Sequence, residues 1–544
     1  MASRRVANDQ GGTPAPSVAV VGMACWYPGA RDLRQFWENV LAKRQQFRRF
    51  PDLRLPLSEY HDPAPRAPDK TYATRGAFID GFEFDWVARR IPQRTYESTD
   101  VVHWLALEVA LKALADAGYT PETISTDRSA ALVGNSLTGE QTRSRYMRLR
   151  WPYVRRVLHA SAQANGLPDA VVFELEQTME ATYKSVFPPV TEDTLAGVLS
   201  NTISGRICNF LDFKGGGYTV DGACASGMIA VATASNALTN GDIDFALAGG
   251  VDISLDAMEM IGFAKVGALT RDDMNVYDKR GSGFIPGEGC GFVALKRLED
   301  ARADGDFVYA VVRGWGISSD GSGGITAPRA DSQAKMLERA YARAGYSPHE
   351  LAFIEGHGTG TVAGDKAELE GIQLALSTYG EVPRRTVGMT SFKSLVGHTK
   401  AASGIAGFIK TVIAVNRRVL PPFAGCKVPN PTFAQTAHAL YPILRGTVRD
   451  PDAKIRAGAS AMGFGGINCH IALESADEPA PGLAPSIDER VLMASAQDTE
   501  LFPLAAPSVS ELRRSAQELA AAVIGASLAE LTDLAAQLAA AIEP

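Results

Sequence analysis

Cys224 stands where a β-prone run, Tyr218-Thr219-Val220, meets an Ala-rich helical pattern, within Asp221-Gly222-Ala223-Cys224-Ala225-Ser226-Gly227. A thiol at a helix start is a useful nucleophile, because free N–H groups and the helix dipole favour its thiolate. The small residues around it leave room for a substrate carbonyl, and the tight turn exposes the sulfur. The bland alternative is a buried structural cysteine beside a glycine turn. Two other segments bear on the choice. "EGHGTGTVAGD" (355–365) sets His357 at the end of an apolar strand among glycines and threonines. "SFKSLVGHTKAASGIAG" (391–407) sets Lys393 and His398 before another small-residue helix. Glycine-rich surroundings permit close ligand approach. His61, His103, His159, His349, His438 and His470 lack that setting and read as structural.

One cysteine and two histidines in strand-end loops suit a thioester reaction that needs carbonyl polarisation as well as attack. Neutral imidazoles donate hydrogen bonds to a developing enolate, and backbone N–H groups of a Gly-rich turn hold a tetrahedral oxyanion. "MGFGGIN" (462–468) offers such a turn, with Phe464 beside it as an apolar gate. Lys393 adds positive potential that favours the thiolate, unless it is an ordinary surface lysine. Two other patterns are weaker. Gly358-Thr359-Gly360-Thr361-Val362-Ala363 matches a dinucleotide-binding fingerprint, but no clear helix opens there and a histidine adjoins the glycines. Gly222-Ala223-Cys224-Ala225-Ser226 resembles a nucleophile elbow, yet a Cys hydrolase leaves the second His loop and Lys393 without a task.

The elements that must position these residues alternate between strands and helices, which implies packed α/β layers. Strands are expected within 17–30, where a turn follows, at 129–136 and 218–220, at 242–254 with a Gly-Gly kink, within 289–306, where a helix follows, within 308–321, where a Gly-rich loop follows, and at 351–361, 384–394 and 455–475, which end in loops. Helices are expected at 31–44, 101–118 and 330–345. The two halves share this character without a sequence repeat that aligns by eye. Residues 137–200 differ, being charged, aromatic and mostly helical. Their stretch 142–156 holds six arginines and is either a solvated helix face or a docking surface for an acidic partner.

At 544 residues the chain calls for two packed domains or one duplicated domain. A formal charge of −7 gives no general attraction to nucleic acid or an anionic membrane. No apolar run approaches the ~18–20 residues of a spanning helix. The six cysteines show no CxxC pairing, which suits a reducing cytoplasm and argues against a metal site or disulfide framework. Residues 1–16 read as a disordered leader. Residues 476–489 form a Pro/Ala linker, and the tail that follows reads as a short strand and amphipathic helices at the cut edge of a longer polypeptide.

"VDGACASG", "EGHGTGTVAGD", "KSLVGHTKAASG" and "GFGGINCH" resemble, in order and spacing, the four signature blocks of β-ketoacyl synthases. The resemblance spans 17–475, with halves at about 17–300 (carrying the helical insert 137–200) and 301–475. Residues 476–544 are similar to a truncated post-ketosynthase linker region. It implies the thiolase fold, two pseudo-symmetric halves in an α/β/α/β/α five-layer arrangement, as a homodimer. The implied reaction is decarboxylative Claisen condensation. Cys224 would hold the acyl chain, and His357 and His398 would polarise the malonyl thioester. The N–H groups of Cys224 and Phe464 would form the oxyanion hole. Thr359 and Thr361 would contact the phosphopantetheine arm of an acyl carrier protein, and Lys393 and Glu368 would support the histidines. The domain would bind no cofactor of its own. Acyltransferase and reductive domains on the same polypeptide would be its further partners.

At finer grain, "MRLRWPYVRR", "FPPVTEDTLAGVLSNTISGRICN", "GWGISSDGSGGIT" and "SAQDTELF" are similar to iterative type I synthases that make enediyne polyene precursors. The alternatives are a synthase of polyunsaturated-fatty-acid or modular type, and, outside the family, a Cys-dependent thioester hydrolase or a chain-length-factor-like scaffold without a nucleophile. The sequence departs from the family at Ala225-Ser226-Gly227 and at Met462, both expected to reshape the acyl pocket.

Overall fold

Val18–Trp26 is a nine-residue run buried along its whole length, and a strand of that kind needs cover on both faces. Val18, Val20, Met23 and Cys25 enter a central apolar cluster, while Ala19, Val21, Ala24 and Trp26 enter an outer one. Alternation, stepped by one residue where the register shifts between Val20 and Gly22, thus divides one strand between two cores. The computed structural model describes residues 17–322, 324–381, 383–435, 439–477, 485–495 and 499–542. The expected leader 1–16, His438 and parts of the linker region lie outside the described residues.

Eleven strands form one sheet. Their order is Leu440–Pro442, Val387–Thr390, Phe353–Glu355, Arg456–Gly463, Ile467–Glu474, Ala310–Ser319, Val18–Trp26, Gly289–Arg297, Phe245–Asp252, Ser129–Gly134 and Gly217–Val220. On one side Gly217–Val220, Ser129–Gly134 and Phe245–Asp252 pair in parallel, then Gly289–Arg297 and Val18–Trp26 follow antiparallel. On the other, Val387–Thr390, Phe353–Glu355 and Arg456–Gly463 pair in parallel, then Ile467–Glu474 and Ala310–Ser319 follow antiparallel. The same order and senses occur twice, and the halves join where Val18–Val20 pairs with Ala310–Val312.

Two apolar helices fill the middle. Ser226–Thr239 packs on Phe245–Asp252 and Ser129–Gly134, Ser403–Asn416 packs on Arg456–Gly463, and the two helices touch. Outside, Val101–Asp116 covers Val18–Trp26 and Gly289–Arg297, while Ala330–Ala344 covers Ala310–Ser319 and Ile467–Glu474. Helix, sheet, helix, sheet and helix make the five layers of the thiolase fold. The duplication also leaves a trace in sequence. Ala225-Ser226-Gly227 and Ala402-Ser403-Gly404 begin the two central helices at the same point, each after a 3-10 turn with one left-handed residue, Ala223 (φ 50°) or Lys400 (φ 47°).

Several expectations are corrected. "IRAGASAMGFGGINCHIALES" is a hairpin of two strands, Arg456–Gly463 and Ile467–Glu474, because Gly465 and Gly466 turn the chain at positive φ. A helix, Val362–Ser377, does open after the Gly-Thr-Gly-Thr loop. The first described part of the tail is a helix, Ile487–Ala494, which Ser486 and Glu489 cap reciprocally. It docks on the core through Glu489, whose carboxylate accepts from Trp37 Nε1 at 3.0 Å.

The insert folds as helices Glu140–Leu149, Trp151–Ala164, Asp169–Ser185 and Thr194–Val198. Half of its arginine run turns inward: Arg143 pairs with Asp256, Arg145 donates to Thr194 Oγ1 (2.8 Å) and Pro189 O (3.1 Å), and Arg148 donates to Phe187 O (2.9 Å). Arg150 and Arg156 flank the exposed Tyr153 ring at 5.3 and 5.7 Å.

The two central helices cross on glycine. A Cβ at Gly227 would lie 3.0 Å from the Ala401 carbonyl oxygen and 3.1 Å from Ile405 Cβ; one at Gly404 would lie 2.5 Å from Met228 Cγ. Gly227 is therefore committed to the helix crossing, and neither it nor Ala225 lines the cavity beside Cys224. Gly227→Val is expected to destabilise the fold by ~1–3 kcal/mol through overpacking. A lowered midpoint in thermal unfolding checks this; an unchanged midpoint contradicts the close crossing.

Candidate active site

Gly217–Val220 delivers the chain to the 3-10 turn Ala223–Ala225, and Cys224 sits in that turn at the head of Ser226–Thr239. Side chains hold the turn. Asp221 Oδ1 accepts the Ala223 N–H at 2.8 Å, Ser226 Oγ accepts the Gly222 N–H at 2.9 Å, and the same hydroxyl donates to Ala223 O at 2.6 Å. Cys224 is 9% exposed. Burial pushes its thiol up to about 11, against a hydrogen bond from the Phe464 N–H and the positive charge of Lys393, both of which favour the thiolate. Burial thus opposes the thiolate that the Phe464 N–H and Lys393 favour.

His357 follows the strand Phe353–Glu355. Its Nδ1 accepts the Met462 backbone N–H at 3.2 Å, and a backbone N–H can only donate. The ring proton is thus on Nε2. His398 has the same arrangement, its Nδ1 accepting the Lys400 N–H at 3.2 Å. Burial, followed by the charge of Lys393, holds both imidazoles well below the usual histidine range. Two neutral Nε2–H donors result, on rings 5.4 Å apart and nearly perpendicular.

Buried carboxylates shape the loops that carry them. Glu368 accepts the N–H groups of His357 (2.6 Å) and Gly358 (2.9 Å) and the Tyr277 hydroxyl (2.7 Å). Asp365, one turn earlier on the same helix, accepts from Thr359 N (3.1 Å), Gly360 N (3.0 Å) and Tyr277 N (2.7 Å). Burial pushes the Asp365 carboxyl up to about 7. Glu355, immediately before Gly356-His357, receives Lys410 Nζ at 2.8 Å and the Phe392 N–H at 2.5 Å. This pair ties the His357 strand to the segment that leads through Lys393 to His398.

Cys224, His357, His398, Glu368, Thr359, Thr361 and Phe464 line one cavity of about 310 Å³, together with Phe263, Phe284 and Met462. Phe464 is 52% exposed at its mouth, and the Thr359 and Thr361 hydroxyls bond each other at 2.9 Å. Lys393 lies behind the wall and acts on the thiol and both imidazoles through its charge.

The chain that carries this cavity has counterparts among known proteins. The model of the β-ketoacyl synthase N-terminal domain matches residues 15–301, and that of the C-terminal domain matches residues 309–427. The chain belongs to the β-ketoacyl synthase family. Its relatives include a polyunsaturated fatty acid synthase polypeptide of a Thraustochytrium species, 32% identical over 512 residues, which cover 92% of this chain and 18% of the relative. Polyketide synthase PksL of Bacillus subtilis is 32% identical over 469 residues, covering 85% of this chain and 9% of the relative. The chain thus spans less than a fifth of the length of these curated relatives. Among solved structures, the ketosynthase from module 6 of the bacillaene synthase of Bacillus subtilis 168 has a TM-score of 0.70 at 29% identity, covering 93% of this chain and 77% of that one. The oxazolomycin ketosynthase domain OzmH KS7 of Streptomyces albus JA3453 has a TM-score of 0.73 at 27% identity, covering 96% and 83%.

Sequence reasoning about this synthase missed Asp365, Tyr277 and the Glu355–Lys410 pair. Asp365 and Glu368 stand three apart, the spacing of neighbours on one helix face, which was the available signal. Tyr277 and Lys410 reach the site only through tertiary contact and carry no local signal. The buried thiol has a kinetic consequence. Iodoacetamide alkylation of Cys224, followed on its peptide by mass spectrometry, is expected to climb with pH beyond 9 without a plateau. Lys393→Met is expected to slow it at pH 8, since each further unit of rise removes about tenfold of the thiolate. A plateau near pH 7 contradicts this.

Proposed function

We propose that the domain elongates a polyketide chain by decarboxylative Claisen condensation of a malonyl-carrier-protein thioester onto an acyl group held on Cys224. The observation that carries this reading is the pair of imidazoles whose Nδ1 atoms are each occupied by a backbone N–H. Both rings are thereby neutral Nε2–H donors facing the same cavity as the thiol. In the first step the sulfur attacks the carbonyl of an acyl thioester on the phosphopantetheine arm. The N–H groups of Cys224 and Phe464 take the oxyanion, and the carrier thiol leaves with the proton lost by Cys224. In the second step the malonyl thioester loses CO2. His357 and His398 stabilise the enolate oxygen through their Nε2–H groups, the enolate carbon attacks the acyl-Cys224 carbonyl, and the C–S bond breaks to expel the Cys224 thiolate, which regains a proton from water. Thr359 and Thr361, on the cavity wall, would meet the arm. Glu368 holds the His357 loop, Lys393 lowers the cost of a thiolate, and the domain needs no cofactor of its own.

A hydrolase built on a Cys–His–acid triad needs a histidine that donates from Nδ1 to a carboxylate. Neither histidine here does so, which favours condensation. A chain-length-factor-like scaffold leaves Cys224 without a purpose. Within the family we read the chain as an iterative enediyne-type ketosynthase making a polyene, on the segments 147–156, 187–209, 314–326 and 495–502. The similarity to a polyunsaturated fatty acid synthase and to PksL supports a second reading, a ketosynthase of those types. Its partners would be an acyl carrier protein and acyltransferase and reductive domains on the same polypeptide, with the domain working as a homodimer. Six free cysteines fit a reducing, cytoplasmic setting. Among the described residues, no helix is long and apolar enough to cross a membrane.

Cys224→Ala is expected to abolish acyl loading from a thioester donor, read by intact-protein mass spectrometry; wild-type loading on the variant overturns the nucleophile. His398→Ala is expected to keep loading within a few-fold while condensation falls about 10²–10³-fold, the usual cost of one lost oxyanion donor. Equal loss of both steps overturns this division of labour.

A further inference from the structure

The duplicated halves hold their key turns in the same way up to one point. In the first turn Asp221 Oδ1 accepts the N–H of the left-handed residue Ala223. In the second, His398 stands where Asp221 stands, and its Nδ1 accepts the N–H of the left-handed residue Lys400. The first turn is then clamped by the Ser226 hydroxyl, which bonds both Gly222 N and Ala223 O. The equivalent Ser403 hydroxyl is buried and makes no hydrogen bond among the described residues. The second turn therefore lacks its serine clamp, although it must hold a non-glycine residue at positive φ, which the backbone disfavours.

What replaces the clamp is the Lys400 side chain. Its ammonium lies buried 3.0 Å from Asp252 Oδ1 and 3.0 Å from Glu259 Oε2, and donates to Gly287 O at 3.1 Å. Ser254 Oγ bonds Glu259 Oε1 at 2.6 Å and closes the cluster. Burial pushes the Glu259 carboxyl up to about 7 against the pull of Lys400. The cluster reaches to both sides of the histidine. Gly287 N donates to His398 O at 3.0 Å, and Glu259 lies on the helix Ala257–Lys265, from which Phe263 enters the cavity wall.

We propose that Lys400 is a positioning residue for condensation: its ion pairs with Asp252 and Glu259 fix the 398–402 turn so that the Lys400 N–H stays on His398 Nδ1 and the Nε2–H donor stays aimed at the cavity. The inference rests on the reading of His398 as an enolate donor. Removing Lys400 alone strands two buried carboxylates and risks unfolding. The informative variant is Lys400→Met combined with Asp252→Asn and Glu259→Gln, which removes the ion pairs and the stranded charges together.

The test uses the full chain, and it scores acylation of Cys224 by mass spectrometry beside condensation with a malonyl thioester. Solid-state ¹⁵N NMR of histidine-labelled protein reads the tautomer, with His398 assigned by difference against His398→Ala. The wild type is expected to carry the His398 proton on Nε2. The triple variant is expected to lose that single tautomer, with condensation down about tenfold or more and acylation within twofold of wild type. A wild-type proton on Nδ1 overturns the proposal without any variant. A triple variant that keeps both tautomer and condensation overturns it too, as does equal loss of acylation and condensation. If His398→Ala itself condenses normally, the reading of His398 has failed instead, so the two failures are told apart.

Discussion

The crossing of Ser226–Thr239 over Ser403–Asn416 sets the distances on which everything else in the molecule depends. Each helix begins at a sheet end and each is preceded by a turn that carries chemistry, Cys224 in one half and His398 in the other. With side chains larger than hydrogen at Gly227 and Gly404, the helix axes would be pushed apart, and with them the thiol and the imidazole. Close-packed interiors do not absorb such shifts softly. Catalytic spacing is thus fixed from the core outward, and the loops inherit it.

A second layer of control is electrostatic. The site is buried, so an ionised thiol and charged imidazoles are all disfavoured, and the neutral forms of His357 and His398 follow from burial and from Lys393. One layer back, Glu355 pairs with Lys410, and Lys400 pairs with Asp252 and Glu259. Apolar Phe263, Phe284, Met462 and Phe464 share the cavity itself with the donors. This separation lets neutral hydrogen-bond donors meet charge that develops only during the reaction.

The four motifs were legible because their chemistry demands residue types that core packing does not: a thiol and imidazoles among glycines, placed at strand ends. The α/β alternation also read directly, since the buried strands are short and the helices between them carry apolar stripes. The duplication was not legible, because it survives in sequence only as Ala-Ser-Gly at the head of each central helix, while strand order and sense carry the rest. The helix after Gly-Thr-Gly-Thr escaped notice because Val362-Ala363-Gly364-Asp365 has no helix-start signal and Thr361 makes no side-chain cap. Gly227, read from sequence as pocket space, lies at the helix crossing for a general reason. Small residues beside a nucleophile serve ligand access or backbone approach, and only the partner helix decides between them.

Duplicated architecture also sets a cavity-lining thiol in one half against an alanine at the matching point of the other. Ala401 occupies in the second half the place that Cys224 occupies in the first. Its carbonyl oxygen comes within 3.0 Å of where a side chain at Gly227 or Gly250 would begin, so this corner is closed by backbone from the opposite half. At matching points of the two turns, the first half thus contributes a side chain to the cavity and the second contributes backbone to the helix crossing.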